Sequence, residues 1–167
     1  MISIRKLQPD EWPLYKALRL EALATDPQAY GSTLAENVNR PNDYWRGRLE
    51  TSFADDEQAL LFAMFERRAV GMIGTFPAPE ANTAHLISMY VTGEFRGQGI
   101  AKRLVSSMME RLRRGGTVKT LQLEVNPVQT AALALYRSLG FEIYREEEAE
   151  RGDGSRFLEY FMRRPLS

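Results

Sequence analysis

Hydrophobic and polar residues follow two different periods along the chain, and these periods predict its secondary structure. Strict alternation or a short apolar run predicts strands at residues 2–7, 58–66, 70–76, 84–91, 119–125, 142–149 and 156–163. Apolar residues three and four positions apart predict helices at residues 9–25, 40–53, 99–114 and 130–139. The predicted element order is therefore β, α, α, β, β, β, α, β, α, β, β.

This element order predicts the fold class. A run of antiparallel strands, two of them joined as a hairpin by residues 67–69, is followed by a crossover helix, which is typical of α/β (α+β) proteins. We expect a mixed, mostly antiparallel central sheet of about seven strands with helices on both faces. Because no repeat, low-complexity tract or linker interrupts the pattern, we expect residues 1–167 to form a single domain.

Glycine and proline mark the ends of several predicted elements. Gly115 and Gly116 are expected to end the third helix, and Gly140 is expected to cap the fourth. Asn126 and Pro127 must end the strand before them, because proline lacks an amide donor and restricts the residue that precedes it. The last two strands are expected to flank a turn at residues 151–155.

Composition and charge narrow the possible chemistry. Lys+Arg and Asp+Glu both number 22, so the formal net charge is zero and we expect no nucleic-acid partner. The lack of cysteine excludes disulfides, thiolate nucleophiles and cysteine metal sites, and the single histidine, His85, argues against a histidine metal centre. Residues 1–12 contain no long apolar segment, so we expect no signal peptide, no membrane span and a cytoplasmic location.

The most informative stretch is MYVTGEFRGQGIAKRL, residues 89–104, where a predicted strand is followed by a helix. Gly97 and Gly99 allow backbone N–H groups to approach a bulky ligand, because no Cβ stands in the way. The helix N-terminus behind them has unpaired N–H donors and the positive end of the helix dipole. Arg96 and Lys102 add positive charge on either side. This combination is suited to binding a pyrophosphate.

Three kinds of phosphate-binding loop can be compared with this stretch. A Walker-type loop needs Gly-Lys followed by Ser or Thr, which residues 97–103 lack. A dinucleotide-binding loop needs a third small residue where Lys102 stands, and it belongs to the first βαβ unit of a chain. The third kind is R-x-x-G-x-A, which residues 96–101 match.

Residues 96–101 resemble the Gln/Arg-x-x-Gly-x-Gly/Ala signature of the GNAT superfamily of N-acetyltransferases. A second stretch, LEVNPVQTAALALYRSLGFE at residues 123–142, is similar to the later motif of that family. That motif is a strand, a break that contains Asn, and a short helix that ends in Leu-Tyr before Leu-Gly-Phe. The two motifs occur in the family's order, and the predicted elements match the family fold over nearly the entire chain.

The resemblance implies an enzyme that moves an acetyl group directly from acetyl-CoA to a primary amine, through a ternary complex and without a metal. The pyrophosphate would lie on residues 97–102, and the pantetheine arm would fill a gap between two diverging strands. Asn126 and Pro127 are the expected local cause of that divergence. A backbone N–H near Val91 would polarise the thioester carbonyl. The cofactor-binding residues that the resemblance implies are Met89, Tyr90, Val91, Arg96, Gly97, Gln98, Gly99, Ile100, Ala101, Lys102, Asn126, Gln129, Ala132 and Tyr136.

One position departs from the family pattern. Many members have an asparagine seven residues before the tyrosine, where this chain has Gln129, while Asn126 lies ten residues before it. Gln keeps both amide functions of Asn. Both residues are therefore candidates for the contact with the pantetheine arm.

The resemblance also implies the catalytic residues. Tyr136 would be the general acid that protonates the departing thiolate; its alternative role is an aromatic packed at a helix end. Glu124 corresponds to the glutamate of the branch that acetylates ribosomal-protein N-termini. His85 stands where the histone-acetylating branch has a glutamate. Glu124, His85 and water all remain candidate bases, and each side chain could instead be structural. Phe141 is expected in the core, and Glu36 and Glu94 on the surface.

Substrate choice is expected to lie in residues 25–45, where Tyr30, Glu36, Asp43 and Tyr44 could attract a cationic amine. The acidic residues 146–148 are expected to form a solvated face. The alternative function is a non-catalytic acyl-CoA-binding regulatory module, and a dinucleotide-binding enzyme is a weaker alternative. The expected partners are acetyl-CoA and an amine, in a monomer or homodimer without membrane contact.

Overall fold

The computed structural model describes residues 1–150 and 154–166. The strands are β1 (Ile2–Arg5), β2 (Leu60–Phe65), β3 (Arg68–Pro77), β4 (Thr83–Val91), β5 (Thr120–Val125), β6 (Glu142–Glu150) and β7 (Arg156–Pro165). The helices are α1 (Trp12–Thr25), α2 (Leu34–Val38), α3 (Asn42–Ala54), α4 (Ile100–Gly115) and α5 (Thr130–Ser138). The turn predicted at 151–155 lies partly outside the described residues.

Within the described residues, seven strands form one mixed sheet in the order β1-β2-β3-β4-β5-β7-β6. β4 and β5 run parallel, and the other neighbouring strands are antiparallel. The parallel pair requires a long crossover, and α4 provides it. The predicted fold class, a mostly antiparallel sheet with helices, is confirmed.

Helices α1 and α3 cover one face of the sheet, over β2 and β3. Their buried side chains include Tyr15 and Leu18 of α1 and Trp45 of α3, which pack with Phe62 of β2 and Met72 of β3. The alternate residues of these strands point to the opposite face, because successive side chains of a strand alternate in direction. The sheet is therefore buried on both sides in this region.

Helix α4 covers the opposite face, and its sequence explains its burial and both of its ends. Its buried side chains are Ile100, Leu104, Val105, Met108, Met109 and Leu112. Burying a side chain of this size stabilises a fold by about 1.5–3 kcal/mol. Gly99 precedes the helix with φ +79°, and Gly116 ends it with φ +77°. Both values lie in the left-handed region that favours glycine, as the predicted helix ends require.

Helix α2 was not predicted from the periodicity, because five residues are too few for a periodic apolar pattern. It begins with a capping box: Thr33 Oγ1 accepts a hydrogen bond from the Glu36 N–H at 3.2 Å, and the Glu36 carboxylate accepts one from the Thr33 N–H at 3.3 Å. The T-x-x-E spacing of this motif was the available signal. No helix in the described part of the chain combines the length and apolarity that crossing a membrane requires.

Candidate active site

A gap opens between β4 and β5 towards their carboxyl ends. The two strands pair only where residues 83–85 face residues 120–122. Both strands continue beyond this point, to Val91 and Val125, without pairing to each other. The expected divergence of these strands is therefore present, and it leaves the backbone of β4 at residues 86–91 without a paired strand on the β5 side.

A bulge in β4 accompanies the gap. Three residue steps of β4, from Ile87 to Tyr90, face two steps of β3, from Gly74 to Met72. Ser88, inside the bulge, has φ +61°. Such a bulge bends the strand that contains it. The expected cause of divergence, Asn126 and Pro127, is therefore not where the separation begins: pairing stops after Gln122, four residues earlier.

We refer to residues 96–102 as the hinge. A 3₁₀ turn, Gly93–Phe95, lies between the hinge and the end of β4, and the last three residues of the hinge begin α4. Gly97 has φ +78° and Gly99 has φ +79°, and a Cβ built on either glycine would meet no atom within 4 Å. Within the described residues, no backbone acceptor is bonded to the N–H groups of residues 97–102. The side chain of Lys102 is exposed, and no described carboxylate forms an ion pair with it. Donors, dipole and cation thus meet at one open surface.

Arg96, the first residue of the signature, is bonded to other parts of the protein. Its Nη2 donates to Asp26 Oδ2 at 2.8 Å, its Nε donates to the Val91 carbonyl at 2.8 Å, and its guanidinium stacks 5.4 Å from the centre of the Tyr90 ring. Glu21 holds the same region, since its Oε2 accepts hydrogen bonds from Tyr90 Oη at 2.7 Å and from a neighbouring threonine. These contacts join the carboxyl end of α1 to the end of β4.

The remaining predicted cofactor residues lie around the gap. Asn126 is buried, and its Oδ1 accepts a hydrogen bond from the Val128 N–H at 3.0 Å, which forms the turn that ends β5. Gln129 is the residue that precedes α5. The other side chains are buried (Tyr90, Val91, Ile100) or pack partly buried on the core (Met89, Ala101, Ala132), while Gln98 is exposed.

Tyr136 lies on α5, buried, with its ring 5.7 Å from that of Phe141 in an edge-to-face arrangement. Phe141 is fully buried, as expected for a core residue. Burial raises the pKa of the Tyr136 phenol above its ordinary value, because a phenolate loses solvation there. Tyr136 therefore carries its proton at neutral pH.

Tyr30, from the segment between α1 and α2, reaches the same place. Its Oη donates to the Met89 carbonyl at 2.9 Å, at the bulge of β4. Burial raises the pKa of Tyr30, and the neighbouring phenols of Tyr136 and Tyr90 raise it further. The segment that was expected to choose the substrate thus contacts β4 at its bulge.

His85 and Glu124, two separate candidates from the sequence, lie next to each other. His85 Nε2 is 3.9 Å from Glu124 Oε1, and the His85 ring lies 5.1 Å from that of Phe76. Burial lowers the pKa of His85, while the negative charges of Glu124 and Glu80 act in the opposite direction. The imidazole is therefore neutral at neutral pH, with a free nitrogen lone pair that can accept a proton.

Further carboxylates extend this pair across the sheet. Glu159 of β7 has its pKa raised, first by burial and then by the negative charges of Glu124 and Glu147. Glu147 faces Glu159 across the β6–β7 ladder. Sequence reasoning missed Glu159, although a glutamate in an otherwise apolar stretch of strand was a visible signal. We refer to His85, Glu124, Glu147 and Glu159 as the acidic floor.

The acidic floor faces the same side of the sheet as α1. Leu121, Leu123 and Val125 of β5 belong to the core under α4. Because side chains alternate along a strand, Glu124 points to the opposite face, where α1 and α3 lie over neighbouring strands. The core under α1 and α3 contains no described residue of β5 or β7, and 41% of the Glu124 side chain is exposed. The floor can therefore meet a substrate.

The acids of the expected substrate segment do not face the gap. Glu36 is used in the capping box of α2, and Asp43 is exposed in the first turn of α3. The tyrosines of that segment lie instead beside arginines: Arg19 is 4.8 Å from the centre of the Tyr30 ring, and an arginine before α3 is 4.1 Å from that of Tyr44. This wall of the site is cationic and aromatic. Residues 146–148, in contrast, are exposed, as expected for a solvated face.

Comparison with known proteins identifies similar chains. A family model described as the acetyltransferase (GNAT) family matches residues 9–141. Human N-acetyltransferase 8 is 35% identical over 81 residues, 46% of this chain and 35% of that protein, so the chain matches well under two thirds of this relative's length.

Two solved structures share the fold. The acetyltransferase of the GNAT family from Streptococcus pneumoniae superposes with a TM-score of 0.87 and 19% identity, and 99% of each chain is covered. The structure of yncA from Salmonella typhimurium, solved with its cofactor acetyl-CoA, superposes with a TM-score of 0.84 and 17% identity, covering 100% of this chain and 95% of that chain.

Proposed function

Because this chain belongs to the GNAT acetyltransferase family, we propose that it transfers an acetyl group from acetyl-CoA directly to a primary amine within a ternary complex. The observation that carries the proposal is the gap between β4 and β5. The N–H groups of residues 97–102, to which no described backbone acceptor is bonded, lie beyond one end of β4, and Tyr30 is bonded to its bulge. An extended cofactor with a diphosphate at one end and a reactive thioester at the other fits this arrangement.

The diphosphate of acetyl-CoA would bind the hinge. Backbone N–H groups and the α4 dipole favour an anion, and Lys102 adds a full charge. The pantetheine arm would run along the free edge of β4, and a backbone N–H near Val91 would polarise the thioester carbonyl. Asn126 Oδ1 is already bonded to Val128, and the Gln129 side chain forms no hydrogen bond with a described residue, so Gln129 is the better candidate for a contact with the arm.

Tyr136 would be the general acid. The amine nitrogen attacks the thioester carbon, the C–S bond breaks, and the thiolate takes the phenolic proton; the proton that the nitrogen loses on forming the amide restores the phenol. An ordinary phenol, with a pKa of about 10, is a weaker acid than a thiol near 8.5. Burial destabilises a thiolate in the gap just as it destabilises the phenolate. Both anions lose solvation, so burial does not by itself enlarge the difference between the two pKa values, and the site must supply the remaining driving force.

His85 and Glu124 would act together as the base. The ammonium form of the substrate is attracted to the carboxylate of Glu124, and the neutral His85 beside it can accept the proton that must leave before attack. Glu147 is paired with Arg145 at 3.4 Å, and the raised pKa of Glu159 disfavours its charged form. Glu124 therefore supplies the negative charge that favours a cationic acceptor.

The pair makes a prediction about the single histidine of the chain. We expect the pKa of His85 to lie below 6.5, and to fall further in Glu124→Gln, because the charge of Glu124 raises it. An NMR titration of the imidazole resonances measures this without ambiguity of assignment. The acidic limb of the rate profile should move to lower pH in the same variant. An unchanged or higher His85 pKa in Glu124→Gln would show that the two groups are not coupled.

A second prediction separates two roles for Arg96. If Arg96 holds the hinge in place through its ion pair with Asp26, then Asp26→Asn and Arg96→Gln should each weaken acetyl-CoA binding. We expect a few-fold effect, because the ion pair is partly exposed. The double variant should be no weaker than the worse single variant. Glu110→Gln, in an exposed pair on α4, is the control. If Asp26→Asn instead tightens binding, then Arg96 is a phosphate ligand that Asp26 restrains.

Two assays test the proposed function. A thermal-shift comparison should show stronger stabilisation by acetyl-CoA than by NAD, since both carry a diphosphate but only acetyl-CoA has a pantetheine arm that can fill the gap. CoA release should then exceed background with a member of a panel of primary amines. Stabilisation by acetyl-CoA without CoA release from any amine would favour a non-catalytic acyl-CoA-binding module.

A further inference from the structure

A cluster of arginines and tyrosines lines the wall formed by α1, α2 and α3. Arg19 of α1 stacks on Tyr30, and Arg40, which lies between α2 and α3, stacks on Tyr44. Arg48 of α3 lies against the Tyr15 hydroxyl and lowers its pKa, against the larger effect of burial. We refer to Arg19, Arg40, Arg48, Tyr15, Tyr30 and Tyr44 as the cationic wall.

None of the three arginines forms an ion pair with a described carboxylate. The acids of the neighbouring segments are engaged elsewhere: Glu21 with Tyr90, Asp26 with Arg96, and Glu36 with the capping box. The three arginines are each partly buried, and partial desolvation makes an unpaired charge costly. An arginine cluster without an acid therefore points to an anion that is absent from the polypeptide.

Arg19 is the member of the cluster that has a buried nitrogen, Nη1, without a hydrogen-bond partner among the described residues. Burial is the main cause that lowers its pKa, and the positive charge of Arg48 lowers it further. Stacking on Tyr30 holds the guanidinium plane, and among the described residues no oxygen accepts a hydrogen bond from the Arg19 side chain. A planar carboxylate is the acceptor that matches this fork of donors.

The position of Arg19 relates this anion to the substrate. Tyr30 lies between Arg19 and the gap: its ring stacks on Arg19, and its hydroxyl is bonded to the Met89 carbonyl. The acidic floor lies on the same face of the sheet, on the strands beyond β4. A molecule in the site would thus meet carboxylates on one side and a guanidinium on the other.

We propose that Arg19 binds a carboxylate of the acetyl acceptor, and that the acceptor is an amine that also carries a carboxylate, the chemical class of the free amino acids. This inference rests on the proposed function, because it names the substrate class of the same site. The ammonium group faces the acidic floor, and the carboxylate faces Arg19. The two opposite charges orient the molecule so that its amine is presented to the thioester.

The test compares matched substrates. For each of several L-amino acids, kcat/KM is measured for the free acid and for its carboxamide, with wild-type protein and saturating acetyl-CoA. We expect the acid to be preferred by about 100-fold or more, because an unfilled guanidinium site rejects the neutral analogue. Arg19→Gln should reduce this ratio to within a few-fold, mainly by slowing the acid. Arg46→Gln, an exposed arginine on α3, is the control and should leave the ratio unchanged.

Two further measurements keep the outcome decisive. Arg19→Lys retains the charge but not the fork, so it should give an intermediate ratio if the variant Arg19→Gln folds poorly. Calorimetry of the protein–CoA complex with the same acids and amides measures binding without turnover. If the amines are acetylated but acid and amide are equivalent, this inference fails and the proposed function stands. If no amine is acetylated, equal binding of acid and amide overturns it, and preferential binding of the acid that Arg19→Gln abolishes supports it.

Discussion

Gly99→Glu is expected to weaken acetyl-CoA binding by roughly 10²–10³-fold while the protein remains folded. A carboxylate about 4 Å from a phosphate charge costs about 4 kcal/mol at the effective dielectric of a protein surface, and 1.4 kcal/mol corresponds to a factor of ten. The new side chain would enter open space, since a Cβ on Gly99 meets no atom within 4 Å. Isothermal calorimetry with acetyl-CoA measures the loss.

The backbone angle of Gly99 requires a matched control. Any side chain at φ +79° is strained, by about 1–2 kcal/mol. Gly116, at the other end of α4, has φ +77° and also faces open space, so Gly116→Glu introduces the same strain and charge away from the hinge. We expect Gly116→Glu to lower the melting temperature similarly and to leave acetyl-CoA affinity within about twofold. Equal affinities in the two variants would remove the hinge from the binding site.

Tyr136→Phe is expected to lower kcat by roughly 10²–10⁴-fold, the usual contribution of a positioned proton donor. The ring and its edge-to-face contact with Phe141 survive the substitution, so stability should change little. The KM for acetyl-CoA should change much less than kcat, because the lost interaction belongs to the transition state. Steady-state kinetics with acetyl-CoA and an accepted amine measures both.

Tyr160→Phe is the control for this experiment, because Tyr160 packs on the same core from β7 and has no proposed role. The pH dependence offers a second check. Because burial raises the pKa of Tyr136 above 10.0, the phenol should not titrate below that value, and wild-type kcat should show no loss from this group up to pH 10. Normal turnover by Tyr136→Phe would mean that the thiolate leaves unassisted and that Tyr136 is a packing residue.

The sequence predicts α4 and the hinge well because several local signals agree there. Apolar residues at helical spacing, glycines at both ends and a preceding apolar strand all indicate the same structure, and the left-handed angles of Gly99 and Gly116 confirm the reading. α2 was missed because its only signal is the capping box at Thr33 and Glu36. Local sequence patterns thus predict the helices that are long enough to show a helical period, and they miss shorter ones.

The contacts that shape the gap could not be predicted in the same way. Ser88 has no intrinsic preference for φ +61°, so nothing at that position announces the bulge in β4. Arg96 and Asp26 are 70 positions apart, and their pairing depends on where α1 ends relative to β4. A reading of the signature alone therefore treated Arg96 as a free cation of the hinge.

The residues of the candidate site also divide into those that the sequence identified and those that it did not. His85 and Glu124 were found separately, and only the register of β4 against β5 brings them to 3.9 Å. Glu159 and Arg19 were not found at all, because their significance comes from neighbours on other elements. Sequence patterns identify the residues that a motif contains, and the packing of the sheet determines which others they meet.

Direct acetyl transfer from acetyl-CoA to an amine at this site can be followed by mass spectrometry. Wild-type protein is incubated with isotopically labelled acetyl-CoA, first alone and then with an accepted amine. The masses of the protein and of the amine are measured at times within a single turnover. We expect the label to appear on the amine without ever appearing on the protein. Tyr136→Phe should slow its appearance on the amine by roughly 10²–10⁴-fold. Label on the protein before the amine, or no label on any amine while acetyl-CoA remains bound, would contradict direct transfer.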